Sequence, residues 1–239
     1  AEARGDLRVK RKRAALGIDL GSTSAKAMAV AEDGAVVATG TAATGFSFPG
    51  GGLVEMDLAA AWDAAAGAVR GVADEARRQG YAISCVGLSA LGPALVLLDA
   101  AGDPVRPAIA YSDLRAAADA REIATRVDVA TQVRLTGVHW APGMASAPVL
   151  RWIQREEPAA YAQAAVVGHP STFLLHRLTG RFAIDHAAAQ TTGLFAYRGE
   201  PRWLPEAAEA MDVALEKLPE PVDAVAAAGT LIPAGRPTR

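Results

Sequence analysis

In the stretch GIDLGSTSAKAMAV, an aspartate, a glycine, three consecutive hydroxyl residues and a lysine come close together: Asp19, Gly21, Ser22, Thr23, Ser24 and Lys26. A turn between two strands needs one or two permissive residues, and this one carries more polar chemistry than turning demands. Gly21 lets the backbone approach a ligand closely, and the N–H groups of such a turn can form an anion-binding concavity. The three hydroxyls add donors for phosphate oxygens. A carboxylate beside a phosphate is repulsive unless a divalent cation lies between them, and magnesium characteristically takes one or two carboxylates and keeps several waters. Asp19 is therefore a candidate magnesium ligand through water, and Gly21, Ser22, Thr23, Ser24 and Lys26 are candidate phosphate ligands. The competing reading is an ordinary hairpin whose polar residues face water. The spacing is not that of a Walker A loop, whose lysine follows a longer interval from the glycine.

The elements that must position this turn are legible around it. ALGIDL, AKAMAVA and AVVATG read as three strands of an antiparallel meander, with Asp33-Gly34 placed for a two-residue hairpin. GFSFPGGG, residues 45–52, reads as a loop. A long helix then runs from an Asp57 N-cap to Arg77 and Arg78 in the last turn, and Gly80 stops it. ISCVGLSA is apolar throughout, as a strand buried on both faces would be, and Cys85 within it reads as a small buried hydrophobe. ALVLLD and AIAYSD predict further strands. Helices are expected over 114–126, 146–156 and 170–178, a short strand at AAVVG, and another at RFAIDH. A single α/β domain is the economical reading.

Composition bounds the function classes. The chain has 239 residues, 51% of them hydrophobic and only 5% aromatic, so Ala, Val and Leu must make most of the core. A formal charge of -2 gives no overall electrostatic case for a nucleic-acid partner. No apolar run approaches the roughly 18 residues that span a membrane, so no membrane partner is expected. One cysteine excludes an internal disulfide and fits a reducing, cytoplasmic setting. Residues 1–14 hold a basic cluster (Arg8, Lys10, Arg11, Lys12, Arg13) and read as a solvated, poorly ordered tail; a nucleic-acid arm is the alternative, but no aromatic residues interleave with the charges. His139, His169, His176 and His186 have no metal spacing and read as structural or solvated. Trp62 and Trp152 read as core.

The order of segments resembles the FGGY carbohydrate kinases, a family of the actin/hexokinase/Hsp70 superfamily. GIDLGSTSAKAMAV resembles their first phosphate-binding hairpin, and PGGGLVEMDLAAAWDA their P-G-W-V-E-x-D-P-x-x-W segment. VGLSALGPALVLLDAAGDPVRPAIAYSDLRA is similar to their strand–loop–strand substrate region, which ends in A-I-L-W-x-D-x-R. SAPVLRWIQREEP and STFLLHRLTGRFAIDHAAA are similar to their P-K-L-x-W and D-Y-L-x-x-x-L-T-G runs, with Val149 where the lysine stands. The resemblance covers about residues 15–231, so residues 15–239 are expected to form the family's N-terminal, substrate-binding domain.

This resemblance implies an RNase H-like, actin-like ATPase fold: an α/β domain whose mixed sheet opens with the three-stranded antiparallel meander and is flanked by helices. It implies ATP-dependent phosphorylation of a hydroxyl on a sugar or polyol, with Mg2+ and ATP at the Asp19 turn. On the substrate side it points to Gly92, Pro93, Asp113, Arg115 and Trp140, with a structural ion pair as the competing reading of Asp113 and Arg115. The polar side chains that relatives carry in this loop are replaced here by Ser89-Ala90-Leu91-Gly92-Pro93-Ala94, of a kind that resembles branches acting on pentuloses or gluconate. The family's general-base aspartate is expected beyond residue 239, as is a C-terminal ATP-binding domain, in cis or as a separate chain. The isolated chain is accordingly expected to be incomplete and inactive, with self-association, for instance as a homodimer, through its exposed former interface. The alternative is a non-catalytic sugar-binding or regulatory remnant of the kinase fold.

Overall fold

The computed structural model describes residues 11–196 and 198–232. In chain order its elements are β1 Lys12–Leu20, β2 Ser24–Ala31, β3 Val36–Ala43, β4 Ser47–Gly50, β5 Leu53–Met56, α1 Leu58–Arg78, β6 Tyr81–Ala90, β7 Val96–Leu98 and β8 Ala108–Ile109. There follow α2 Ala117–Arg126, α3 Val129–Thr136, α4 Ala147–Glu156, α5 Pro158–Gln163, β9 Val166–Gly168 and α6 Pro170–Thr179. The last are β10 Ala183–Asp185, α7 His186–Gln190, α8 Pro205–Ala210 and β11 Glu220–Val222. Where the sequence reads as one domain, the described residues divide into two compact units, 11–44 with 63–89 and 45–62 with 90–232.

The first unit is a four-stranded sheet in the order β3-β2-β1-β6, and its meander is antiparallel as expected. Alternation along β1 and β2 buries Leu16, Ile18, Leu20, Ala25, Ala27 and Ala29 on one face, while Asp19, Lys26 and Met28 lie on the other. The buried stripe of α1, Ala65, Ala68, Val72 and Ala76, recurs at helical spacing. The helix lies so close to β3 that a Cβ on Gly40 would stand 3.0 Å from both the Ala68 carbonyl oxygen and Val72 Cγ2. The Asp33-Gly34 hairpin forms, but as a three-residue loop. Ala31 N–H donates to the Ala35 carbonyl and Gly34 N–H to the Ala31 carbonyl, both at 2.9 Å, and only Gly34 takes a positive φ, of 85°. The start of α1 forms as read, with Asp57 Oδ1 accepting from the N–H groups of Ala59 and Ala60.

Three expectations change. Lys12, Arg13 and Ala14 are not tail but the first residues of β1, where Lys12 N–H donates to the Gly80 carbonyl; residues 1–10 of the basic segment lie outside the described residues. Strand β6 is not buried on both faces, because among the described residues β1 is its only neighbour; Ser84, Cys85, Gly87 and Ser89 are exposed. Cys85 is thus a surface thiol. The loop expected over 45–52 contains β4, which pairs with β5 through a turn whose Gly50, Gly51 and Gly52 all have positive φ.

The second unit gathers short strands and helices around a core of Leu95, Leu97, Ile109, Ile123, Trp140, Leu150, Ile153, Val167, Leu194 and Met211. Its small sheets are β4-β5-β8, β7-β9 and β10-β11. Helix α2 begins at Ala117 rather than 114, because the Asp113 carboxylate accepts the N–H of Arg115 and holds 113–116 in a turn. Helix α3, absent from the sequence reading, is bracketed by an Asp128 cap and by Gly137 at a φ of 77°.

Strand propensity favours valine over glycine by up to about 1 kcal/mol, so Gly40→Val should stabilise the sheet if α1 stood clear of it. The close approach demands the reverse: a loss of about 1–3 kcal/mol, read as an earlier urea midpoint. An unchanged or later midpoint contradicts this packing.

Candidate functional site

The β1–β2 turn hides its acceptors and presents its donors. Gly21 N–H donates to the Ser24 carbonyl at 2.9 Å, Thr44 N–H to the Thr23 carbonyl at 3.0 Å, and Thr44 Oγ1 to the Gly21 carbonyl at 3.1 Å. The N–H groups of Ser22 and Thr23 and the hydroxyls of Ser22, Thr23 and Ser24 have no partner among the described residues. A turn with three of its carbonyls occupied, those of Gly21, Thr23 and Ser24, and with two free N–H groups and three free hydroxyls can serve as an anion cradle. Gly21 is needed for its lack of a side chain: a Cβ there would stand 3.1 Å from the Ser24 carbonyl oxygen and 4.0 Å from Asp19 Oδ2.

Asp19 and Lys26 are direct cross-strand partners, and Lys26 in turn lies opposite Thr41 of β3. Strand alternation therefore puts Lys26 on the same face as Asp19 rather than turning it away. The Asp19 carboxylate makes no hydrogen bond or ion pair among the described residues, which leaves it free for water or a hydrated cation. No group of three or more potential metal ligands occurs among the described residues, so a divalent ion here would rely on Asp19 with other ligands from solvent or phosphate.

In the second unit, Leu95 and Ile109 exchange both backbone hydrogen bonds, at 2.8 and 2.9 Å. This antiparallel bridge brings the loop with Gly92 and Pro93 and the segment from Tyr111 onward to the same end of β7 and β8. There Asp113 and Arg115 come together, but inward. Asp113 Oδ2 accepts the Val54 N–H at 2.6 Å, and the Arg115 guanidinium donates to both carboxylate oxygens of Asp113 and to Glu55 Oε1, each at 2.8 Å. Glu55 also accepts from Arg106, which pairs with Glu157 at 2.8 Å. The Arg115 guanidinium lies 5.0 Å from the centre of the Trp152 ring. Asp113 is 1% exposed, so the pair forms a buried clamp that sets the loop's shape.

Trp140, expected to reach substrate, is fully buried. Its Nε1–H donates to Thr136 Oγ1 and its backbone N–H to Gln132 Oε1, each at 2.9 Å, and Gly193 packs against the ring. The exposed aromatic at this end is Tyr111, edge-on to Phe46 with ring centres 6.1 Å apart.

Two residues the sequence reading left aside meet here. Ser146, before α4, and His169, before α6, are both buried, and Ser146 Oγ lies 3.0 Å from His169 Nε2. They are 23 positions apart. The only sequence signal was a serine at the first position of one expected helix and a histidine just ahead of another.

Burial pushes the His169 imidazole down to about 4, against a smaller upward pull from Asp185, so it is neutral at pH 7. Burial also pushes His176 down, as does Arg177, against Asp103 and Asp99. For Asp113 burial acts upward, but Arg115 and the N–H groups of Val54 and Arg115 outweigh it and hold the carboxyl below its usual value. The signs follow. A histidine depressed in the folded state contributes stability that is full above its unfolded value near 6.5 and is lost as pH falls toward the folded value. Asp113 keeps its contribution until pH falls through and below the ordinary carboxylate range. Unfolding free energy should therefore decline between pH 6.5 and 4, and His169→Gln should remove about one proton's worth of that slope. A pH-independent stability across this interval, or an unaltered slope in the variant, contradicts the assignment.

Comparison with known proteins shows the family. Residues 14–236 match the FGGY family of carbohydrate kinases, N-terminal domain. The chain is 30% identical to a xylulose kinase of Escherichia coli over 218 residues, covering 91% of this chain and 44% of the relative. It is 32% identical to a glycerol kinase of Rhodospirillum rubrum over 225 residues, covering 91% and 45%. A crystal structure titled as a xyloylose kinase from Brucella ovis superposes with a TM-score of 0.84 at 28% identity, over 91% of this chain and 44% of that one. The chain thus spans under half the length of these relatives. The fold is the RNase H-like, actin-like α/β domain that the family resemblance implies.

Proposed function

We propose, because the chain belongs to the FGGY family of carbohydrate kinases as their N-terminal domain, that it is the acceptor-binding part of an ATP-dependent kinase that phosphorylates a sugar or polyol hydroxyl. The observation that carries this reading is the polarity of the β1–β2 turn, with its donors unspent and Asp19 free beside them. Gly21, Ser22, Thr23 and Ser24 would receive phosphate oxygens, Lys26 would offset their charge, and Asp19 would hold Mg2+ through water. Bound Mg2+ neutralises charge on the phosphates of ATP. In the second unit Gly92 and Pro93 would lie against the acceptor, while Asp113, Arg115 and Trp140 hold the surrounding backbone from behind.

The Gly92-Pro93 loop favours a pentulose or gluconate over glycerol, while the relatives include both xylulose and glycerol kinases. The rest of a chain of the relatives' length would supply the general base and the adenine site, so phosphoryl transfer by these 239 residues alone is not expected. Dependence on ATP fits a cytoplasmic setting, and no helix among the described residues is long and apolar enough to cross a membrane. A second reading, a sugar-binding module without chemistry, draws on the apolar Ala90-Leu91-Gly92-Pro93-Ala94 loop. The free donors of the turn weigh against it.

Titration calorimetry of the chain with D-xylulose, D-gluconate and glycerol, with and without Mg-tripolyphosphate, tests both readings. Saturable binding of one acceptor is expected, together with Mg-tripolyphosphate binding that weakens at least about tenfold in Asp19→Asn while acceptor binding stays unchanged. Acceptor binding with no response to Mg-tripolyphosphate selects the module. No acceptor binding overturns both.

A further inference from the structure

The acceptor loop lacks polar side chains, yet the buried groups beneath it do not. His169 Nδ1 has no hydrogen-bond partner and is closed to solvent. An orphaned buried polar atom is destabilising, and its presence in a folded protein asks for a purpose. A Cβ on Gly92 would point toward this nitrogen, 3.9 Å away, and would meet no other atom within 4 Å. Gly92 itself is exposed. The nitrogen therefore lies one glycine below the surface of the acceptor loop.

The neutral imidazole carries one proton. Among the described residues Ser146 Oγ has His169 as its one partner, and the hydroxyl can donate to Nε2 or accept from it. In the first arrangement the ring proton resides on Nδ1, which becomes a donor 3.9 Å from where a Cβ on Gly92 would stand.

Resting on the kinase reading above, we propose that His169 is a specificity-determining residue of the acceptor site. As the Gly92 backbone shifts, its Nδ1–H donates to an acceptor oxygen, the contact that Ala90, Leu91 and Pro93 have no side chains to make. Ser146 is the positioning residue that fixes the ring.

Two substitutions separate this from a structural role. Asparagine places an amide near the position of Nδ1, and glutamine near that of Nε2. Calorimetric titration with D-xylulose should show His169→Gln binding roughly tenfold to a hundredfold more weakly than the unaltered chain, with His169→Asn retaining most of the affinity. Equal affinity in His169→Gln, or equal loss in both variants, overturns the proposal while leaving the kinase reading intact. Failure of the unaltered chain to bind D-xylulose, D-gluconate or glycerol removes the kinase reading and this proposal with it. Should the buried substitutions prevent folding, the imidazole nitrogen resonances of the unaltered chain decide. A shift at Nδ1 on adding a bound acceptor supports the contact, and a static Nδ1 signal overturns it.

Discussion

The second unit depends on a buried guanidinium. Arg115 binds Asp113 through both carboxylate oxygens and Glu55 through a third contact, and Glu55 passes the linkage through Arg106 to Glu157. Burying these charges costs several kcal/mol per ion, and the hydrogen bonding offsets it incompletely, since Arg106 Nη1 is closed to solvent without a partner. The return lies in what the network joins. Glu55 is on β5, Arg106 precedes β8, Asp113 and Arg115 lead into α2, and Glu157 links α4 to α5. Four short segments that could not bury enough apolar surface alone are fixed relative to one another. The loop carrying Gly92 leaves from the end of the structure they define, through the Leu95–Ile109 bridge.

The first unit solves a simpler problem with different physics. Its sheet and α1 pack through small residues, chiefly alanine, and Gly40 permits the close approach. A rigid meander then carries the β1–β2 turn, and Thr44, just past β3, ties down two of its carbonyls. With those acceptors occupied, the N–H groups of Ser22 and Thr23 and three hydroxyls remain as donors. Asp19 and Lys26 flank it because two-residue alternation and antiparallel register leave them opposite each other on one face.

What the sequence disclosed divides along this line. Local devices were legible: the Asp57 cap, the closing Arg77, Arg78 and Gly80, the positive φ at Gly34, and the hydroxyl-rich turn. Burial set by distant neighbours was not. Cys85 looked like core because its strand is apolar, but β6 has one described neighbour and its outer residues stay exposed. Trp140 looked available because the resemblance places its loop at the sugar pocket, whereas Thr136, four residues earlier, and Gly193, from a distant part of the chain, pack against it. Helix α3 had readable ends in Asp128 and Gly137, but its exposed Val129 and Val133 give only a weak apolar stripe. Asp113 and Arg115 were legible as a pair; only the fold shows them turned inward, and no spacing rule joins Ser146 to His169.

The central claim is that the loop ends of the second unit form a single acceptor site, already shaped by the Arg115 network. Amide chemical-shift mapping of the chain during titration with D-xylulose tests it most directly. The account predicts saturable shifts concentrated at Gly92, Tyr111, Ser146 and His169, with the Asp113–Arg115 amides nearly still. Shifts centred elsewhere, or spread through Asp113 and Arg115 as though the clamp opened, would contradict it.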